Sequence, residues 1–279
     1  MNLYVDTIDY QKTIEMARSL SGDFEPELIF HCYWHGDLNE KNLISIRSCW
    51  FFNAREKRNR KIILWIEKSN PNFWWEEISR YAEIREFDLG DQLQRSCLSG
   101  SDISVSSESI TYYSDLARLL LLFNYGGIWF DLDVFFLRSF DPLAAHFSDQ
   151  IFLYTWSNQD YPNNAIFGSI HKESESLAEA MKFIYERNLG WGFQQAHLNF
   201  NLPLNFTVLP CSWFDAGWLD ENAEIGLNAF SPRDEIFSLS TFFPGAFAYH
   251  WHKQWGSSID KTSIIGQLDA EILERIAIS

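Results

Sequence analysis

The 279-residue chain is short of basic residues, with 22 Lys and Arg against 38 Asp and Glu and a formal net charge of −16. Nucleic acids are bound chiefly through clustered Lys and Arg, so a nucleic-acid partner is not expected. The one basic run, residues 55–61, is short and reads as solvated surface. Cysteine is sparse as well. Cys32, Cys49, Cys97 and Cys211 lie far apart, with no C-x-x-C spacing, so free buried thiols are expected rather than a thiolate metal site. No window reaches the roughly 18 apolar residues of a membrane span, and the amino-terminal MNLYVDTIDYQKTIEMARSL lacks the apolar core of a signal peptide. A cytoplasmic protein of bacterial type is expected, without a transmembrane segment and with peripheral membrane contact left open. Long Pro, Gly or Ser linkers and internal repeats are also missing. One domain over 1–279 follows, with a helical extension over 1–27 and a C-terminal helix within 256–279.

Present in quantity are aromatic residues and alternating elements. Apolar, β-branched and aromatic runs predict strands at 28–33, 61–66, 84–87, 128–130, 151–155 and 207–210. Helical spacing predicts helices at 43–52, 74–81, 114–123, 174–187 and 263–276. This alternation predicts an α/β fold, a mostly parallel central sheet with helices on both faces. Ligands in such sheets bind beyond the carboxyl ends of the strands. Most of the 12 tryptophans are expected in packing. Trp34, at a strand end before His35-Gly36, is the better ligand candidate. Tyr33 and Trp34 point oppositely in extended chain, so only one of them should stack on a ligand ring.

The most informative stretch is 114–143, SDLARLLLLFNYGGIWFDLDVFFLRSFDPL. Gly126-Gly127 breaks a helical run, and Ile128-Trp129-Phe130 reads as a buried strand. If the chain stays extended, Asp131 and Asp133 point to one side. Two carboxylates held that close repel unless a cation compensates them, and oxygen ligands suit Mg²⁺ or Mn²⁺. Such an ion could bridge two phosphates. Val134-Phe135-Phe136-Leu137 continues the apolar character, which argues against a merely solvated loop. Asp115 and Arg118 share a helix face. They read either as a surface ion pair or as a pair binding sugar hydroxyls.

The joint pattern S-D-x-x-R, apolar helix, Y-G-G-I, aromatic, D-x-D resembles the group described as glycosyltransferase sugar-binding region containing DXD motif. That group includes family 32 mannosyltransferases, α-1,4-N-acetylglucosaminyltransferases and bacterial capsular polysaccharide enzymes. The clostridial glucosylating toxins are similar over the same segment. The resemblance implies a Rossmann-like GT-A fold and transfer of a hexose or N-acetylhexosamine from a nucleotide diphosphate sugar. UDP is favoured over GDP, and the acceptor is a hydroxyl of a glycan, polysaccharide or lipid-linked saccharide. It also implies Mn²⁺ or Mg²⁺ and retention of configuration. Asp133 would be the direct metal ligand and Asp131 would bind metal-bound water or ribose, with Asp115 and Arg118 orienting the donor sugar. An aromatic at the first strand end, Trp34 or Tyr33, would stack on the base. Asn163-Asn164 is similar to a stretch facing donor sugar or acceptor, Asn164 the favoured residue, although Asp160-Tyr161-Pro162-Asn163 also reads as a simple turn. His250 reads as a third ligand to metal or diphosphate, or as a structural histidine. Trp255 and Ser257 would cap the diphosphate, and Lys253 offers an alternative cation. Two rival functions are an effector-like enzyme glycosylating a protein side chain and a non-catalytic carbohydrate-binding protein.

Overall fold

The computed structural model describes residues 10–103, 110–155, 162–192, 206–219 and 229–278. In chain order the strands are β1 (Leu28–His35), β2 (Arg60–Glu67), β3 (Glu83–Glu86), β4 (Gly127–Phe130), β5 (Val134–Phe136), β6 (Ile151–Thr155), β7 (Pro162–Ser169), β8 (Phe206–Leu209) and β9 (Ala248–His250). The helices are α1 (Tyr10–Ser19), α2 (Glu40–Cys49), α3 (Phe73–Ile78), α4 (Leu89–Gln94), α5 (Ile110–Tyr125), α6 (Asp141–Phe147), α7 (Glu175–Glu186) and α8 (Ile264–Ile278).

Seven strands form one sheet in the order β3-β2-β1-β4-β7-β6-β8, and β5 pairs with β9 in a second, two-stranded sheet. β3, β2, β1 and β4 run parallel, β6 runs parallel to β8, and β7 is antiparallel to both of its neighbours. The fold is therefore the expected α/β, with a mostly parallel sheet. The antiparallel β7 and the β5/β9 pair have no counterpart in the sequence reading. Residues 162–169 form a fully buried strand rather than leading out of a surface turn. Asp160 and Tyr161, the other half of that expected turn, lie outside the described residues, as do 1–9 of the amino-terminal extension.

Both faces of the sheet are covered, and strand alternation sorts the side chains between them. Phe30 and Cys32 of β1 pack with Leu64, Phe130 and Phe136 beside Leu43 and Ile46 of α2. The intervening Tyr33 joins Ile63, Trp65 and Trp129 against Leu116, Leu119 and Leu120 of α5 and Met181 of α7. A third cluster joins Phe135 and Tyr249 of the small sheet to Ile264, Ile265 and Leu268 of α8. α8 is also tied to α2 by a buried two-point ion pair, Arg47 to Asp269, at 2.9 and 2.5 Å.

Local signals account for helix starts. Asn39 caps α2 with Asn42 bonding back in a capping box, while Asn72, Asp88 and Ser174 cap α3, α4 and α7. α2 thus begins at Glu40, a turn earlier than apolar spacing suggested. The basic run 55–61 is not wholly solvated. Arg60 opens β2, is 6% exposed and donates to Asp141 at 2.8 Å and to the Phe24 carbonyl, because its place in the sheet leaves its side chain inside. Lys57 joins it on Asp141. None of the four cysteines is in a disulfide, and Cys32, Cys49 and Cys211 are buried. Among the described residues no helix is long and apolar enough to cross a membrane.

Candidate active site

The glycine pair after α5 makes the site possible. Gly126 and Gly127 have φ of +70° and +110°, and a Cβ on Gly127 would lie 2.2 Å from the Ile29 carbonyl oxygen. Only glycine permits that approach, which lets β4 slide in beside β1 and open towards the carboxyl ends of the parallel strands. β4 ends at Phe130, and the chain then turns, with the Val134 N–H donating to the Asp131 carbonyl at 3.1 Å. Asp131-Leu132-Asp133 is therefore a turn and not extended chain. The shared direction expected from strand alternation does not apply. The turn instead feeds β5, whose Val134 lies opposite His250 of β9. That pairing carries a residue far along the chain to Asp133.

Asp133 is 6% exposed. Its Oδ1 lies 3.2 Å from His250 Nε2, and its Oδ2 accepts the Lys253 backbone N–H at 2.8 Å. Burial alone would raise its pKa, but His250 and that N–H outweigh it and hold the carboxyl down at about 2. Burial likewise disfavours the His250 imidazolium, yet Asp133 and then Asp215 push it up to about 9. His252 and Lys253 adopt left-handed backbone, φ +46° and +59°, a strained arrangement for two successive non-glycine residues. It is this turn that aims the Lys253 N–H at Asp133.

Asp131 keeps 29% of its side-chain surface. Its Oδ1 accepts the Trp129 indole N–H at 2.7 Å and lies 3.3 Å from Arg118 Nη2. Burial pushes its carboxyl up to about 6 against the pull of Arg118, and the charge on Asp133 acts in the same direction as burial. Arg118 is 3% exposed and no surface partner. Its guanidinium also meets Asp115 Oδ1 at 3.2 Å and donates to the Asn164 carbonyl. The Asn164 side-chain amide donates to the same Asp115 oxygen at 3.2 Å. Asp115, Arg118, Asp131 and Asn164 are thus one hydrogen-bonded patch. Asn163 turns its amide oxygen to the Ala165 N–H and does not join it.

On the β1 side, the Trp34 ring lies 4.7 Å from the ring of Trp255, and its indole N–H donates to the Asp37 carbonyl at 3.0 Å. Tyr33 points to the opposite face, where its hydroxyl donates to Glu67 at 2.8 Å and its ring is enclosed by Phe87 and Tyr113. Packing, not a ligand-facing position, is what the structure gives Tyr33. Lys41, buried over the Phe230 ring, donates to the Gln254 carbonyl and pins the loop after β9. Ser257 and Lys253 are exposed at that loop.

Two residues in this network, Asp215 and Tyr154, escape sequence reasoning. Asp215 Oδ2 accepts from His252 Nε2 at 2.7 Å and lies 3.8 Å from His250 Nδ1, and the Tyr154 hydroxyl is 2.9 Å from that same Nδ1. Asp215, His250 and His252 place ligand atoms within 4.8 Å of one another, the one such trio among the described residues. Asp215, however, is 0% exposed, whereas the Asp133–His250 pair adjoins the partly open Asp131. Asp131, Asp133 and His250 form no such trio, and of the three only Asp131 is partly open. Two carboxylates and one imidazole are a donor set that suits Mn²⁺ or Mg²⁺, so by donor chemistry these residues fit such an ion. Trp129 could have been found beforehand, standing two residues before Asp131 on a strand. Asp215 carries no sequence signal of its own.

Solved structures share this fold. A crystal structure of an active-site mutant of LgtC aligns over 89% of this chain and 96% of its own, with a TM-score of 0.51 and 13% identity. The apo-form glycosyltransferase GlyE of Streptococcus pneumoniae TIGR4 aligns over 88% of this chain and 59% of its own, with a TM-score of 0.50 and 16% identity. At such identities the likeness shows the fold, that of GT-A glycosyltransferases. None of the curated proteins matches. A family model matches residues 10–149, just over half of the chain and including the D-x-D turn and the helix before it. The chain belongs to the family described as glycosyltransferase sugar-binding region containing DXD motif, and it is a glycosyltransferase.

Proposed function

We propose that this single-domain enzyme transfers a hexose or N-acetylhexosamine from a nucleotide diphosphate sugar, UDP favoured over GDP, to an acceptor hydroxyl. The acceptor is a glycan, polysaccharide or glycolipid, as in bacterial polysaccharide synthesis, and anomeric configuration is retained. The observation that carries this reading is the 3.2 Å approach of His250 to Asp133, beside the partly open Asp131 at the carboxyl ends of the parallel strands. Asp133, His250 and Asp131 would hold Mn²⁺ or Mg²⁺. Bound there, the ion supplies a Lewis acid for the departing diphosphate.

The chain's own groups divide the remaining work. Arg118 fixes Asp115, Asp131 and the Asn164 carbonyl, so that Asp115 and Asn164 offer oriented acceptors and donors to sugar hydroxyls. Trp34 offers an aromatic face for the base. The left-handed turn at His252-Lys253 leaves the exposed Lys253 ammonium free to approach the diphosphate. Retention rests on resemblance to the family.

A thermal-shift panel of UDP-, GDP- and CMP-sugars with and without Mn²⁺ tests this reading. Ligand at 100 times its dissociation constant stabilises by about 2.7 kcal/mol. A metal-dependent shift with UDP-sugars is expected. Absence of a shift with every nucleotide would overturn the donor assignment.

A further inference from the structure

Asp215 is 0% exposed, and burying a carboxylate is costly unless something compensates it. Its surroundings supply two imidazoles. Oδ2 is 2.7 Å from His252 Nε2 and 3.8 Å from His250 Nδ1, and the two rings stack at 3.7 Å with an interplanar angle of 25°. Oδ1 is buried without a hydrogen-bond partner, so the carboxylate is committed to the histidine side. The backbone that carries it is rigid. The Asp215 N–H donates to the Cys211 carbonyl at 2.7 Å, and the neighbouring Trp213 indole donates to the Thr13 carbonyl of α1 at 2.7 Å.

We propose that Asp215 is a positioning residue for the metal centre, acting through His252 and His250. With Nε2 given to a metal beside Asp133, the one ring proton of His250 would sit on Nδ1, which faces the Tyr154 hydroxyl at 2.9 Å with Asp215 behind it. The hydrogen bond to Asp215 also anchors His252 in its left-handed conformation, and strained backbone persists only where its surroundings hold it. His252 then lies against the His250 ring and blocks its rotation. A histidine that ligates a metal through one nitrogen is oriented and made more basic by a carboxylate or hydroxyl at the other, and removing such a partner weakens metal binding roughly 10–100-fold. The Tyr154 hydroxyl is that partner at 2.9 Å, and Asp215, 3.8 Å from the same nitrogen, acts on it by its charge and through His252. Neither lies in the segment matched by the family model, which ends at residue 149.

This inference rests on the metal reading of Asp133 and His250, and one titration separates the two. Mn²⁺ binding to the full chain is followed by the loss of its free aqueous electron paramagnetic signal, for wild type, Asp133→Ala, Asp215→Asn and Tyr154→Phe. Circular dichroism and melting temperature report folding of each variant. Wild type is expected to bind one Mn²⁺ and Asp133→Ala to lose it. Folded Asp215→Asn should retain one site, weakened roughly 10–100-fold, and Tyr154→Phe should weaken it in the same direction. If Asp215→Asn does not fold, Tyr154→Phe decides, since it removes one oxygen and keeps the ring. Wild-type affinity in the folded variants, with binding lost in Asp133→Ala, overturns this inference alone. Loss in Asp215→Asn with retention in Asp133→Ala overturns it as well, making Asp215 a direct ligand. Absence of Mn²⁺ binding to wild type overturns both readings.

Discussion

The two sides of the D-x-D turn solve the same problem with different cations. Asp131 faces a guanidinium, Asp133 an imidazole, and their carboxyls move in opposite directions, to about 6 and about 2. Arginine is the stronger base, so the basicity of the partner does not decide the outcome. Sharing does. Arg118 is divided among Asp131, Asp115 and the Asn164 carbonyl, whereas Asp133 has His250 on one oxygen and the Lys253 N–H on the other. The guanidinium side, with its rigid fork of donors, is suited to fixed orientation. The imidazole side can give up a proton and accept a metal in its place.

Breaking the imidazole side should have the largest effect on chemistry. Asp133→Ala is expected to lower metal-dependent transfer on the order of 10³-fold, the upper range for removing one charge-stabilising group, with the circular dichroism spectrum unchanged. Breaking the guanidinium side should act on the fold. Arg118→Met leaves Asp115 and Asp131 without their buried cation, and urea denaturation should report a loss of about 3–5 kcal/mol. A loss below about 1 kcal/mol would remove Arg118 from the centre of that patch.

Titration sharpens the contrast. His250 has its folded pKa raised to about 9 from an ordinary 6.5, so its contribution is fully present below 6.5 and is lost as pH rises through about 9. Metal-free wild type should therefore melt at progressively lower temperature across that window, and His250→Gln should not show this slope. Asp131, raised to about 6 from 3.8, contributes stability below 3.8 that is lost as pH rises through about 6. Its ionised form is the one that burial disfavours at pH 8, so Asp131→Asn should not lower stability there by more than about 1 kcal/mol. This is the smallest effect expected, and a large loss in the same urea experiment would mean that the carboxylate itself holds the turn.

The strands β1, β2 and β4 were legible because each is a run of mostly apolar, β-branched and aromatic residues. Leu28–His35 and Arg60–Glu67 pair residue for residue over their full length. The antiparallel part was not. β7 opens on Pro162-Asn163-Asn164, residues that favour turns, and becomes a strand through burial between β4 and β6. β5 and β9 are three residues each, too short to carry a pattern, and their pairing alone brings His250 to Asp133. The D-x-D turn itself was legible as an acidic interruption in apolar sequence. Its geometry was not, because strand alternation stops at Phe130 and does not carry on through Asp133. Asp115 and Arg118 were readable as neighbours at helical spacing, but only the fold distinguishes a surface ion pair from a guanidinium buried among three partners. Asp215 and Tyr154 could not be found at all, since each acts through a long-range contact that no local spacing encodes.

Release of UDP from UDP-sugars, with Mn²⁺ and with a chelator, in wild type and Asp133→Ala, tests most directly whether the imidazole side is a metal site serving the departing diphosphate. Wild type should release UDP only with the metal present, and Asp133→Ala should not release it under either condition. Release that persists in chelator, or that is equal in Asp133→Ala, would contradict that claim.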